Sequence, residues 1–414
     1  MSGADPDRIH FVPGTSGPEI VGSDGVWLHT GDGRRILDGG GGAIVSNIGH
    51  GRREIADAVH AALATGGYVL PVWPTPHRER LYDLLVKRWL PAGMGHVFFT
   101  SGGSESADSA IRLARAYHVA NGRPQRWKVI GRHPSYHGLT LGALAVGSHQ
   151  TRRAGFEPIL PDFPHVPWND AAAFEALVEA EGPDTIAAFV FEPITGAAGG
   201  CLIAPDEYWA AVAEVCRRHD ILLVADEVMT GFGRTGTRWG HEHFPLSPDV
   251  LYGGKGLGGG YVPIGMVAAR DEIVEALRGS GFMFFTFTGS DAACAGAVAV
   301  LEVLEREGLV ERAATVGARL GARLAEAVGD HPAVTDVRGR GMFWGVELRA
   351  SGGALAQAVV AEAMRRELWV YPAGSGPPVP DAVMIGCAFT ISDDEIEVLI
   401  ERLAAAIEAA ATRA

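Results

Sequence analysis

The sequence predicts an α/β protein, with a mainly parallel sheet covered by helices in a large domain and a smaller α+β domain assembled from both termini. Three observations lead there. From 96 to 270, short apolar runs alternate with helical stretches, the pattern of a parallel sheet with both faces covered. Ile221-Leu-Leu-Val-Ala-Asp226-Glu227 reads as a buried strand ending in two carboxylates, at the sheet edge where open α/β folds bind ligands. Further on, Asp249-Val-Leu-Tyr252-Gly-Gly-Lys255-Gly carries a second apolar strand into a lysine among glycines.

Composition narrows the class. With 414 residues and 47% hydrophobic content the chain suits two globular domains, divided as 1–60 (a segment contributing to the small domain and the pocket), 61–305 (the large, ligand-binding domain) and 306–414 (the carboxyl-terminal small domain). A net charge of −14 argues against nucleic acid or an anionic membrane as partner. The first residues carry no apolar leader and no run approaches a membrane span, so the expected location is cytoplasmic. Cys201, Cys216, Cys294 and Cys387 lack metal-ligand spacing and read as buried thiols, and His241-Glu-His243, without a third ligand, reads as a polar loop, so no metal is expected.

In order along the chain, Gly25–His29 and Arg35–Asp38 are strand-like around the turn Thr30-Gly-Asp-Gly33. The glycine-rich stretch from Gly39 through Ile44 to Gly51 reads equally as a flexible loop or as a pocket wall. Helices are predicted at 53–63 and 76–89, the second with Thr75 as cap and Pro76 at its first position. His96-Val-Phe-Phe-Thr100 is a strand leading into Ser101-Gly102-Gly103-Ser104 and a helix, the arrangement in which free amides and the helix dipole favour an anion. Strands follow at Lys128–Gly131, Ile186–Pro193 and Ile264–Ala269. Beyond them come a helix from Asp271, a long helix from Asp291 to about Glu307, strand material at Val334–Leu348 broken at Arg338-Gly-Arg-Gly341, and a last helix opened by the capping box Ser392-Asp-Asp-Glu395.

The chain has three lysines. Lys87 falls off the apolar stripe of its helix and Lys128 opens a strand at the far end of the sheet, whereas Lys255 follows a strand and is flanked by Gly253, Gly254 and Gly256, which allow a ligand close to the backbone. A desolvated lysine becomes a nucleophile toward carbonyls. One strand end bearing an acid and another bearing a lysine are what a pyridoxal phosphate enzyme requires: the lysine holds the aldehyde as a Schiff base, and the acid keeps the pyridine nitrogen protonated.

Asp226-Glu-Val-Met-Thr-Gly-Phe-Gly-Arg-Thr-Gly236 and Tyr252-Gly-Gly-Lys255-Gly resemble the signature segments of the class III (omega) aminotransferases, a branch of the fold type I pyridoxal phosphate enzymes, and the resemblance extends over nearly the whole chain. It implies roles residue by residue. Lys255 and Asp226 are the catalytic pair. Gly102, Gly103 and Ser104 correspond to the phosphate turn, with Gly102 where a serine often stands. Tyr136 of Tyr136-His137-Gly138 is placed over one face of the cofactor ring and Val228 on the other, with Glu192 of Glu192-Pro193 at its edge. Thr286, in Thr286-Phe-Thr-Gly289, is implied to reach the phosphate of the neighbouring subunit in a homodimer or dimer of dimers. Ile44 stands where the family often has tryptophan, and Ser290-Asp291 where it usually has His-Pro or Asn-Pro.

The implied activity is transfer of an amino group from an amine or ω-amino acid to a keto acid or aldehyde, using pyridoxal 5′-phosphate in two half-reactions. An aminomutase, racemase or decarboxylase of the same family is the alternative, because the matched residues concern the cofactor alone. A member kept only for binding is disfavoured, since it need not retain a reactive amine. For a substrate carboxylate, Tyr371–Thr390 offers no arginine, which leaves Arg132, Arg234 and Arg340 as candidates, each reading equally as a surface or structural arginine.

Overall fold

The computed structural model describes residues 17–158, 161–280, 285–349, 354–376 and 379–413. Its centre is a seven-stranded sheet ordered His96–Thr100, Gly265–Ala269, Val250–Gly253, Leu222–Asp226, Ile186–Phe191, Lys128–His133 and His165–Pro167. Only Gly265–Ala269 runs against the others, pairing antiparallel with both its neighbours. The remaining pairings, Val250–Gly253 outward to His165–Pro167, are parallel.

Alternation along these strands sorts the core into two layers. Phe189, Phe191, Leu223, Ala225 and Leu251 belong to one apolar cluster, together with Trp209, Val212 and Cys216 of the helix Asp206–His219. Ala188, Val190, Leu222, Val224, Val250 and Tyr252 belong to the other, with Ala107, Ala110 and Ala114 of the helix Gly103–Ala120. A period of two thus puts odd residues of the strand Leu222–Asp226 on one face and even residues on the other, so Asp226 points to the side of the helix Gly103–Ala120. Every residue of Leu222–Asp226 is buried, each large aliphatic contributing about 1.5–3 kcal/mol of transfer free energy.

Two smaller sheets draw on both ends of the chain. Ile20–Asp24, Trp27–Thr30 and Arg35–Asp38 are joined by Leu368–Trp369, and Val334–Arg340, Phe343–Leu348, Ala382–Ile385 and Tyr371–Ala373 form a second sheet. The break expected at Arg338–Gly341 comes later and is shorter: Arg338, Gly339 and Arg340 stay paired in the strand Val334–Arg340, and the hairpin turns at Gly341-Met342 into Phe343–Leu348. Trp344 of that hairpin packs so closely over Gly321 of the helix Leu309–Val328 that no side chain would fit there.

Local signals act where expected. Thr75 accepts from Arg78 N at 3.4 Å, and Ser392 and Glu395 make their reciprocal capping bonds at 3.3 and 2.9 Å. The helix at Pro76 departs from expectation: its α-helical part ends at Leu84 and continues as a single π-turn, Leu85–Trp89, with Leu90 N bonded to Leu85 O at 2.8 Å. All four cysteines are buried thiols. Among the described residues no helix is long and apolar enough to cross a membrane.

Candidate active site

At the carboxyl edge of the large sheet, all the expected site residues except Gly102 and Thr286 line one cavity of about 170 Å³, which Gly138 and Met229 also line. They arrive at the ends of several elements. Asp226 ends its strand, Glu192 follows Phe191, Tyr136 and His137 lie on the loop after His133, and Lys255 begins a 3₁₀ turn just after Gly253.

Lys255 holds a left-handed backbone conformation, φ 38°, which costs a side-chain-bearing residue roughly 1–3 kcal/mol and is characteristic of functional positions. It is half-buried and faces the cavity. Desolvation lowers its amine to about 8, assisted by the charges of Arg152 and Arg234 and opposed by those of Asp226 and Glu192.

Asp226 is held from three sides. Oδ1 accepts from Val228 N at 2.9 Å, while Oδ2 accepts from the Tyr252 hydroxyl at 2.9 Å and lies 2.7 Å from His137 Nδ1. His137 thus enters the site as a partner of Asp226; its Nε2 is buried without a partner. Tyr252 was not singled out from the sequence. Burial, reinforced by the Asp226 charge, holds its phenol well above the ordinary value, so the hydroxyl stays a donor.

Glu192 is buried, and its carboxylate accepts long bonds from Tyr136 N at 3.3 Å and Gly196 N at 3.2 Å. Burial first, and Asp226 second among the groups that raise it, push it up to about 7, against the opposing charges of His137 and Arg132.

One side of the cavity is the start of the helix Gly103–Ala120, whose first amides have no intrahelical acceptor. Glu105 closes the turn by accepting from Ser101 N at 2.8 Å, and Ser104 Oγ accepts from Leu139 N at 3.2 Å. Packing here is tight: a Cβ at Gly138, which has φ 136°, would fall 2.5 Å from Ser104 Oγ, and one at Gly103 would press on Val228 Cγ1 at 3.0 Å. Thr286 stands apart, exposed in the turn before the helix Asp291–Arg306. Its neighbour Phe284 lies outside the described residues.

Two of the three candidate arginines take the structural alternative. Arg132 is fully buried, stacks on Trp209 at 4.7 Å, and donates to Trp168 O, Glu192 O and Thr195 Oγ1. Arg234 is buried and donates to the carbonyls of Met342, Gly386, Cys387 and Ser46. Both guanidiniums are engaged in holding the chain's own backbone. Arg340 lies over Phe244 at 5.7 Å, outside the residues that line the cavity.

The sequence profile of the class III aminotransferases matches residues 17–407. An uncharacterized aminotransferase of Bacillus subtilis, YodT, is 34% identical, with 92% of this chain and 93% of that protein covered. The putrescine–pyruvate aminotransferase of Pseudomonas aeruginosa is 33% identical, over 80% of this chain and 76% of the relative. Among solved structures, a thermostable (S)-enantioselective omega-transaminase from Thermomicrobium roseum superposes with a TM-score of 0.89 at 36% identity, covering 96% of this chain and 93% of that one. With this fold, an amine and a carboxylate at one sheet edge and a match along nearly its whole length, the chain belongs to the class III aminotransferases, fold type I enzymes that transfer an amino group between an amine and a keto acid.

Proposed function

We propose that the cavity holds pyridoxal 5′-phosphate and that the enzyme uses it to move an amino group from an amine or ω-amino acid to a keto acid or aldehyde in two half-reactions. One observation carries this reading: a desolvated amine, Lys255, opens on the same cavity as a carboxylate, Asp226, that His137 and Tyr252 fasten in place. The putrescine–pyruvate relative supports a small keto acid as acceptor.

The residues suit the cofactor. Free amides at the start of the helix Gly103–Ala120 favour a phosphate beside Gly102, Gly103 and Ser104, in space that a Cβ at Gly103 or Gly138 would constrict. Asp226 would keep the pyridine nitrogen protonated by its charge, Tyr136 and Val228 would flank the ring, and His137 and Glu192 would lie at its edge. Bound there, the cofactor supplies an electron sink for the carbon that carries the amino group. Lys255 anchors it at rest, and in turnover Lys255 Nζ takes and returns the substrate proton. An amine near 8 is neutral often enough around neutral pH to do both.

The reading includes the domain division at 61 and 306 and a homodimer or dimer of dimers in which Thr286 completes the phosphate site of the partner subunit. Tyr68, Val72, Trp73 and Phe287, all exposed, support an apolar partner surface beside Thr286.

The test is spectroscopic and kinetic. Wild-type protein is expected to show a visible cofactor band that borohydride abolishes while fixing the cofactor covalently onto the peptide containing Lys255. Lys255→Ala is expected to stay folded, to lose that fixation and to lose turnover by at least about a thousandfold. Wild-type turnover in that variant would remove the assignment.

A further inference from the structure

A keto-acid acceptor brings a carboxylate into a desolvated cavity, where it needs a cationic partner, and an arginine fork provides the best one. The arginines expected to serve are engaged elsewhere: Arg132 and Arg234 donate to backbone carbonyls, and Arg340 lies over Phe244. Arg153 spends its guanidinium on the carbonyls of Ala145 and Gly147 and on Glu157. Its neighbour Arg152 differs. It lies on the short helix Gln150–Arg153, is half-buried, and has its guanidinium carbon 4.5 Å from the centroid of the Tyr136 ring, which lines the cavity together with Lys255. Among the described residues no carboxylate forms an ion pair with it.

We infer that Arg152 is the cation that receives the carboxylate of the keto-acid acceptor. This rests on the aminotransferase reading of the cavity. Position supports it, because the guanidinium is one aromatic ring away from the residues that line the site. The surroundings leave its charge uncontested. His149, packed edge-on to Tyr136 at 6.0 Å, is lowered to about 4 by burial first and by Arg152 second, and so remains a neutral neighbour. The carboxyl-terminal segment that carries no arginine lies against the same helix, since a Cβ at Gly376 would come within 3.5 Å of Gln150 Oε1.

Pyruvate and acetaldehyde differ by one carboxylate and separate charge recognition from chemistry. In Arg152→Gln holoenzyme, kcat/KM for pyruvate should fall about 30- to 100-fold, mainly through KM, as for loss of a charge-assisted pair. For acetaldehyde it should change less than about threefold, and Arg152→Lys should recover part of the pyruvate loss. Propionate, an unreactive carboxylate, should bind wild-type holoenzyme in calorimetry and bind Arg152→Gln at least about tenfold more weakly. Equal losses with both acceptors, or propionate binding that is absent in the wild type or unchanged in the variant, would overturn the inference. Failure of the wild-type enzyme to aminate either acceptor would instead overturn the functional reading, and the propionate measurement would still judge Arg152.

Discussion

Tyr252 and Asp226 are direct partners across adjacent parallel strands, and the Tyr252 hydroxyl donates to Asp226 Oδ2 at 2.9 Å. Both side chains lie on the face of the sheet that carries the helix Gly103–Ala120, because the strand period of two puts them in phase with Val224 and Val250. The same hydroxyl is 3.1 Å from His137 Nδ1, so two side chains and the backbone amide of Val228 fix one carboxylate.

Tyr252→Phe is therefore expected to keep the fold and to weaken the site. It removes one of the donors to Asp226 while leaving Val228 N and His137 in place. A hydrogen bond to a charged group is worth about 1.5–3 kcal/mol, so kcat should fall roughly 10- to 100-fold. The cofactor's visible spectrum should shift in the same variant, a change that a purely structural role would not produce. Unchanged kcat and spectrum would show that Tyr252 only packs the core.

Glu192 leads to a pH-dependent prediction. Its folded value, about 7, lies above the unfolded value near 4.5, chiefly because burial disfavours its charge, with Asp226 adding to the effect and His137 and Arg132 opposing it. A raised value means stability that is complete below about 4.5 and is lost as pH rises through about 7, on the order of 3 kcal/mol at roughly 1.4 kcal/mol per pH unit. Glu192→Gln cannot ionise. Its amide puts an N–H against one backbone donor, which lowers stability by a constant amount, so the readout is the change with pH. The melting temperature of the variant relative to wild type should rise between pH 5 and 8, and a difference that stays constant over that range would refute the buried, proton-holding Glu192.

Much of this architecture is legible in the chain, and the illegible parts have physical causes. Strand ends carrying Asp226, Glu192 and Lys255 declare themselves because apolar runs stop at a charge, and Thr75 and Ser392 declare caps through their neighbours. The role of Tyr252 is not legible locally, because it comes from strand register, which no local spacing encodes; alternation with Asp226 taken as its cross-strand partner is the signal that points to it. The sequence leaves Arg132 and Arg234 open between carboxylate partner and structural arginine, because their burial depends on carbonyls remote in sequence. Arg152 is not legible in the sequence, because its proximity to Tyr136 depends on the path of an intervening loop. The direction of Gly265–Ala269 was equally hidden, since a fully buried strand reads the same whether parallel or antiparallel.

Assembly is the last expectation, and it follows from where Thr286 lies. The residue is exposed, away from the cavity of its own chain, and next to Phe287, which packs edge-on to Tyr68 at 6.1 Å on an apolar surface. If Thr286 serves the phosphate of the other subunit, each site is built from two chains and the smallest active unit is a closed two-fold dimer. Lys255→Ala and Thr286→Ala chains should each be nearly inactive alone. Dissociated and reassociated in equal amounts, about half of the dimers pair the two kinds of chain, and each of these has one site with both wild-type residues and one with neither. Activity should then recover to about a quarter of the wild-type value, and light scattering should find the active species no smaller than a dimer. A mixture no more active than its separate components, or full activity in a monomer at high dilution, would place Thr286 outside the site.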